Sequence, residues 1–110
     1  METFRVETHD NKLEVRLAGD LTAETVPELQ LSLRGHLAAG VSSITFDLAE
    51  TIMLDSSGIG LLIASANSVA RVGGQVDVLH VSSDIYQLLQ CMRLVDRLHV
   101  SAAEPEVCRG

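Results

Sequence analysis

Hydrophobic and polar residues alternate along the first part of the chain. The alternation covers residues 3–9 and residues 13–19, and a polar turn, His9-Asp10-Asn11-Lys12, separates the two runs. A period of two is typical of a strand with one buried face, and a short Asp-Asn turn joins two such strands into a hairpin. The chain is therefore predicted to open with a β-hairpin.

The spacing changes to that of a helix near Thr25. Thr25 and Glu28 have the spacing of a capping box, in which two side chains satisfy free N–H groups at a helix start. Pro27 is tolerated in the first turn, and Gly40 suits the left-handed position that follows a helix. The predicted inner face consists of Val26, Leu29, Leu33 and Leu37.

Two further helices are predicted from apolar residues that recur at intervals of three and four. The second helix has the clearest stripe in the chain, and Gly73-Gly74 ends it. Its stripe consists of Ile59, Leu62, Ile63, Ala66, Val69 and Ala70. The third helix is predicted to begin at Ser82 or Ser83. Its inner face consists of Ile85, Leu88, Leu89 and Met92.

Three more strands complete the predicted architecture, at residues 44–48, 75–81 and 97–100. The order is then β-β-α-β-α-β-α-β. An opening hairpin followed by alternating strands and helices predicts an α/β fold with a mixed sheet and a parallel core. Residues 1–100 are expected to form one domain. Residues 101–110 lack periodicity and are expected to be a tail.

Composition narrows the classes of partner. The 110 residues carry a net charge of −7, and aromatic residues make up 3 % of the chain. A nucleic-acid-binding domain would need a basic surface, and often aromatic side chains that stack on bases. Anionic membrane surfaces are disfavoured for the same electrostatic reason. The charge favours a protein partner with basic patches.

The location of the protein is expected to be cytoplasmic. The chain begins directly with the alternating pattern instead of a targeting segment. No apolar run approaches the roughly 20 residues that a membrane-spanning helix needs, so no direct membrane insertion is expected. The two cysteines, Cys91 and Cys108, are interpreted as reduced thiols.

The candidate site is the stretch Leu54-Asp55-Ser56-Ser57-Gly58-Ile59-Gly60, between an apolar run at residues 52–54 and the second helix. Small polar residues between two buried-looking segments predict an exposed turn from strand to helix. Asp55 and Ser56 are candidates for the helix N-cap. Gly58 and Gly60 indicate that another group packs closely against the backbone.

The motifs of several enzyme classes are not present in this stretch. A nucleophile elbow needs Gly two residues before the serine, where this chain has Leu54 or Asp55. The two glycines lack the third glycine of a dinucleotide loop and the lysine of a P-loop. The histidines have no metal-ligand spacing. No catalytic residue, metal or cofactor is therefore expected, and the protein is predicted not to be an enzyme.

Two interpretations of the stretch remain open from the residues alone, a capped structural turn and a phosphoacceptor serine. A phosphate at the helix N-terminus would gain about 0.3–1 kcal/mol from the helix dipole. The charge of Asp55 would oppose it by about 1 kcal/mol in water. Since these terms nearly offset each other, phosphorylation is expected to act on binding more than on the fold.

The hexapeptide Asp55-Ser56-Ser57-Gly58-Ile59-Gly60 resembles the Asp-Ser-Ser-Gly-Leu-Gly signature of STAS domains, and in particular of bacterial anti-sigma factor antagonists. The resemblance covers about residues 3–100. Gly19-Asp20-Leu21 with Thr25 and Leu29, residues 44–48, Gly73-Gly74-Gln75 and Val81-Ser82-Ser83 also resemble the family. The STAS fold is thereby implied. Thr22 stands where kinase-regulated members usually have Asp, and Arg93 where they usually have Gly.

The resemblance implies a switch controlled by phosphorylation. In such antagonists, the serine after the motif Asp is phosphorylated by an anti-sigma factor that is also a serine kinase, and a phosphatase reverses the modification. The unphosphorylated domain binds the kinase and releases a sigma factor. Ser56 matches the phosphoacceptor. The implied partner-binding residues are Asp20, Thr22, Thr25, Asp55, Ser56, Ser57, Gly58 and Ile59. The alternative is a STAS scaffold subunit of a transporter or signalling complex without a phospho-switch.

Overall fold

The structure is a computed structural model that describes residues 3–102. Its elements follow one another in the predicted order β-β-α-β-α-β-α-β. The strands are β1 (Phe4–His9), β2 (Lys12–Leu17), β3 (Ser43–Asp47), β4 (Val76–Val81) and β5 (Val100–Ala102). The helices are α1 (Val26–Ala38), α2 (Ser56–Ala70) and α3 (Ser83–Cys91). Among these described elements, no helix has the length and apolar character required to cross a membrane.

The strands form one sheet in the order β1-β2-β3-β4-β5. Strands β1 and β2 pair antiparallel, and every later neighbour is parallel, which confirms the mixed sheet with a parallel core. Each crossover moves one strand further in the same direction. Because such crossovers are right-handed, all three helices lie on one face of the sheet. Helix α2 packs against β3 and β4, α3 against β4 and β5, and α1 against α2.

The core lies between this face and the helices. Ile44 and Phe46 on β3 and Leu48 directly after it are at most 1 % exposed. Val15 and Leu62 are fully buried on β2 and α2. The other face of the sheet carries charged side chains, with Arg5 opposite Arg16 and Glu7 opposite Glu14 in the hairpin. All parallel strands end at the same edge of the sheet, and the loops that leave this edge position the candidate site.

The predicted capping box of α1 is not formed. Thr25 has helical backbone angles (φ −90°, ψ −32°), and its side chain caps no N–H group. The Thr25 hydroxyl instead donates to the carbonyl of Asp20 at 3.1 Å. The carbonyl of Thr22 accepts from the N–H groups of Thr25 and Val26, both at 2.9 Å. The prediction was wrong because the threonine hydroxyl has a partner in the preceding loop, which local spacing does not reveal.

The end of the chain departs from two predictions. In α3, Ile85 and Leu89 are buried, but Leu88 and Met92 are 39 % and 46 % exposed. This helix covers only the edge of the sheet, so one narrow stripe meets the core. The last strand begins at Val100 rather than at residue 97, and it includes the first two residues of the predicted tail. Residues 103–110 lie outside the part of the chain that the structure describes.

All three helices end in the same Schellman geometry, in which a left-handed residue follows the last turn. That residue is Gly40 (φ 109°), Gly73 (φ 81°) and Arg93 (φ 61°) in the three helices. The closing bonds run from the N–H groups of Val41, Gly74 and Leu94 to the carbonyls of His36, Val69 and Leu89. Arg93 therefore has a backbone conformation that favours glycine.

Candidate functional site

The motif lies where α2 begins. Asp55 is the N-cap of this helix, with extended backbone angles (φ −97°, ψ −176°). Its Oδ1 accepts a hydrogen bond from the N–H of Gly58 at 3.0 Å. This bond satisfies one of the N–H groups that a helix leaves free at its start. Of the two predicted N-cap candidates, Asp55 therefore has this role and Ser56 is the first residue of the helix.

The second oxygen of Asp55 binds a different loop. Its Oδ2 accepts from the N–H of Ala23 at 3.0 Å. The N–H groups of Gly58 and then Ala23 are the main reasons that the pKa of Asp55 lies below its ordinary value of 3.8. Hydrogen bonds to an ionised carboxylate stabilise the charged form. Asp55 is therefore an anion that joins the start of α2 to the β2–α1 loop.

Asp20 makes the reciprocal connection from the β2–α1 loop. Its Oδ1 accepts from the N–H groups of Ile52 and Met53, both at 3.0 Å. We call the β2–α1 loop, residues 18–25, and the β3–α2 loop, residues 48–55, the paired loops. Each of the paired loops thus contributes one aspartate that binds main-chain N–H groups of the other.

Main-chain hydrogen bonds add to these contacts. Leu21 and Leu54 form an isolated parallel bridge. The N–H of Leu21 donates to the carbonyl of Met53 at 3.1 Å, and the N–H of Asp55 donates to the carbonyl of Leu21 at 3.4 Å. The buried hydroxyl of Thr51 donates to the carbonyl of Gly19 at 2.7 Å. The two loops therefore form one hydrogen-bonded unit beyond the ends of β2 and β3.

Gly58 is required by this unit. A Cβ atom at position 58 would lie 2.5 Å from the carbonyl oxygen of Leu21 and 2.8 Å from Cδ1 of Leu54. The first of these groups is backbone and cannot move without displacing the loop. At Gly60, a Cβ atom would meet nothing within 4 Å. The close approach predicted at both glycines is confirmed for Gly58 and is wrong for Gly60.

The predicted site residues differ in exposure. Ser56 is exposed, whereas Ser57 and Thr22 are half-buried. Gly58 and Ile59 are buried, and Ile59 belongs to the hydrophobic core. Within residues 3–102, no hydrogen bond engages the hydroxyl of Ser56. Asp20 is also exposed, but its side chain accepts hydrogen bonds from Ile52 and Met53, so Ser56 has the exposed side chain that no other described residue engages.

Comparison with known proteins identifies the family. A family model described as "Mlab, STAS domain" matches residues 4–100. The chain belongs to the STAS domain family. It is 32 % identical over 94 residues to the anti-sigma-B factor antagonist of Staphylococcus epidermidis, which covers 86 % of this chain and 87 % of that protein. The relatives are thus named as antagonists, a class of regulators rather than enzymes.

Solved structures share the fold of this STAS domain. The unphosphorylated form of the anti-sigma factor antagonist SpoIIAA has a TM-score of 0.80 at 23 % identity, over 94 % of this chain and 90 % of that chain. The phosphorylated form of SpoIIAA from Bacillus has a TM-score of 0.75 at 23 % identity, over 94 % of both chains. These similarities confirm the predicted STAS fold.

Sequence reasoning missed two exposed apolar residues of the STAS domain. The run at residues 52–54 was interpreted as buried, but Ile52 is 82 % and Met53 is 58 % exposed. Only Leu54 is buried. The break at residues 49–51 could have indicated that the run is exposed. It follows the end of β3, and the three apolar residues after it are too few for another strand. The exposed pair directly precedes the motif.

Within residues 3–102, no histidine hydrogen-bonds to Ser56 or Ser57. One ring nitrogen of each histidine has another neighbour. His9 Nε2 lies 3.6 Å from Glu7 Oε1, His36 Nδ1 2.8 Å from Ser32 O, His80 Nδ1 3.1 Å from Asp47 Oδ1, and His99 Nδ1 2.9 Å from Val76 O. The described residues therefore show no hydrogen-bonded serine–histidine pair of the kind that a hydrolase uses.

Proposed function

We propose that this STAS domain is an anti-sigma factor antagonist switched by phosphorylation of Ser56. The unphosphorylated domain binds an anti-sigma factor serine kinase and so releases a sigma factor. The kinase transfers the γ-phosphoryl group of ATP to the Ser56 hydroxyl, which loses its proton, and ADP leaves. A serine phosphatase removes the phosphate by hydrolysis and restores the binding form.

The exposure of Ser56 is the observation that carries this proposal. The serine is the first residue of α2, and no hydrogen bond from residues 3–102 engages its hydroxyl. A kinase can therefore reach this oxygen without unfolding the helix. Ser57 is half-buried and less suitable as an acceptor. The names of the relatives and the existence of a phosphorylated form of SpoIIAA support the same assignment.

The charge change explains why phosphorylation would end binding. A phosphoserine carries about −1.5 to −2 charges near neutral pH. It would stand directly beside the ionised Asp55, on a domain with a net charge of −7. Like charges brought together at an interface cost several kcal/mol. Binding to the kinase is therefore expected to weaken strongly. In the free domain the phosphate stays hydrated, so the added charge costs less there.

The test combines purified anti-sigma factor kinases of the source organism with the domain and MgATP, followed by mass spectrometry of the intact protein. We expect one kinase to add one phosphate to the wild type and to Ser57→Ala, and none to Ser56→Ala. The kinase should bind the unmodified domain and release the phosphorylated form. A kinase that binds the domain but leaves Ser56 unmodified, or that modifies Ser57 instead, would overturn the proposal.

A further inference from the structure

Six large apolar side chains are exposed within residues 3–102; Leu88 and Met92 lie four residues apart at the end of α3, and two others stand alone. Leu31 is 70 % and Val72 is 64 % exposed, each without an exposed apolar neighbour along the chain. Single residues of this kind are normal on a protein surface. Ile52 and Met53 differ because they are adjacent, are 82 % and 58 % exposed, and lie within four residues of Ser56.

The backbone that presents this pair is fixed. Both N–H groups donate to the Asp20 carboxylate at 3.0 Å, and the carbonyl of Met53 accepts from Leu21 at 3.1 Å. When a loop is already fixed before binding, less conformational entropy is lost on association. This geometry is typical of a preorganised anchor.

The charge around the pair indicates the chemistry of its partner. Residues 18–28 and 48–58 contain five acids and no Lys, Arg or His. The acids are Asp20, Glu24, Glu28, Glu50 and Asp55. An apolar pair on loops that carry acids matches an apolar pocket with basic groups near it. The same acids oppose a second copy of this chain, since two such surfaces would place acids against acids.

We infer that Ile52 and Met53 are the apolar anchor by which this domain docks onto the anti-sigma factor kinase, in an apolar pocket whose basic groups face the acids of the paired loops and not Ser56. The inference rests on the proposed function and adds to it the residues that determine the affinity of the domain for the kinase. Ser56 then receives the phosphate at the edge of a contact that the anchor holds in place. Asp20 acts through the anchor as a positioning residue.

The test measures affinity for the kinase that phosphorylates Ser56, by isothermal titration calorimetry. Ile52→Ser and Met53→Ser are compared with Leu31→Ser and Val72→Ser, which remove apolar side chains of similar exposure elsewhere. We expect the first two variants to raise Kd about tenfold or more, as anchors do when truncated. The two controls should bind within about twofold of the wild type. The urea midpoint of all four should be unchanged, since these side chains contribute little to the core.

Asp20 offers a paired test of positioning. Asp20→Asn keeps the side-chain oxygen that accepts from Ile52 and Met53, and Asp20→Ala removes it. We expect Asp20→Ala to weaken binding and Asp20→Asn to restore most of the affinity. Amide hydrogen exchange of the Ile52 and Met53 N–H groups should be faster in Asp20→Ala only. Equal loss in both variants would overturn the positioning role and assign Asp20 a charge contact.

The outcomes separate this inference from the proposed function. If Ile52→Ser and Met53→Ser bind the kinase as the wild type does, and Ser56 is phosphorylated, the anchor is overturned and the switch stands. If the wild type neither binds a kinase nor accepts phosphate, the proposed function fails first. Self-association of the wild type that the double serine variant abolishes would assign the pair to a second copy and overturn the anchor.

Discussion

At the residue scale, Asp55 shows how one side chain can serve two elements. One oxygen caps α2 through Gly58 and the other binds Ala23 in a loop 32 residues earlier. The cap could be predicted from the sequence, since it depends on residues three apart. The bond to Ala23 could not, because it depends on the approach of two loops that only the fold brings together. For the same reason, the sequence did not reveal that Asp20 accepts hydrogen bonds from Ile52 and Met53.

The lowered pKa of Asp55 gives a pH dependence to stability. Because the folded pKa lies below the ordinary value of 3.8, the carboxylate contributes stability above that pH. The contribution is lost as the pH falls through the folded pKa. Asp55→Asn keeps an oxygen for Gly58 but replaces the acceptor for Ala23 with an NH2 group. We expect a lower free energy of unfolding at pH 7 and a smaller decrease between pH 5 and about 3, measured by urea unfolding. If the free energy of unfolding of Asp55→Asn decreased with falling pH as steeply as that of the wild type, this role of the Asp55 carboxylate would be contradicted.

Gly58 and Gly60 form a second test at this scale. Gly58→Ala would place a Cβ atom against the backbone of Leu21, so we expect it to lower the free energy of unfolding by about 1–3 kcal/mol. Gly60→Ala is the matched control, since its Cβ atom has free space. There the helix propensity of alanine should raise stability by up to about 1 kcal/mol. Urea unfolding of both variants measures the difference. Equal changes at the two positions would show that the contact with Leu21 is unimportant.

At the element scale, the helix ends give Arg93 a defined structural position. Glycine occupies the left-handed position after α1 and α2, and Arg93 occupies it after α3. The Schellman bonds of α3 are complete, with Leu94 N–H 2.9 Å from the carbonyl of Leu89 and Arg93 N–H 3.0 Å from that of Gln90. The helix therefore ends where a glycine would end it, and the side chain of Arg93 costs conformational energy.

This cost predicts a stabilising substitution. Arg93→Gly should raise the free energy of unfolding by about 1 kcal/mol, because glycine adopts a positive φ without strain. Gly73→Arg is the reverse control, since position 73 has a φ of 81° and free space for a side chain. It should lower stability by about 1 kcal/mol or more. Thermal unfolding at one pH measures both. No gain from Arg93→Gly would indicate that its side chain offsets the strain through contacts at the end of α3.

The elements themselves were predictable where periodicity was strong. Both hairpin strands and the stripe of α2 follow from spacing alone, although Ala70 at the end of the stripe is exposed. The exposed face of α3 was not predictable, because a helix at the edge of a sheet buries fewer residues than its apolar pattern suggests. Ile52 and Met53 show the opposite error. Their apolar side chains suggested burial in the core of the domain. We infer that a partner buries them instead, and the sequence of this chain does not reveal a partner's surface.

At the scale of the whole molecule, topology creates the site. Successive right-handed crossovers bring the carboxyl ends of the parallel strands to one edge, where the paired loops meet at residues 21 and 54. The order of elements predicted this fold from the sequence. The charge of −7 was visible too, but the meeting of two acid-bearing loops separated by more than 20 residues was not. Their proximity is thus a property of the fold.

The whole-molecule prediction concerns the phosphorylated domain. A phosphate on Ser56 gains about 0.3–1 kcal/mol from the dipole of α2 and loses about 1 kcal/mol beside Asp55 in water. The Ser56 side chain is exposed, so the phosphate need not displace a packed group. We therefore expect the free energy of unfolding to change by less than about 1 kcal/mol, which is a shift of Tm within roughly 5 °C. Calorimetry of the kinase-treated domain measures the shift, and Ser56→Asp serves as a control with one fixed charge. Because the repulsion between the phosphate and Asp55 grows when a partner excludes water, affinity for the kinase should fall far more than stability. Unfolding of the phosphorylated domain at the temperature of the binding assay would contradict this separation and make the switch a change of fold.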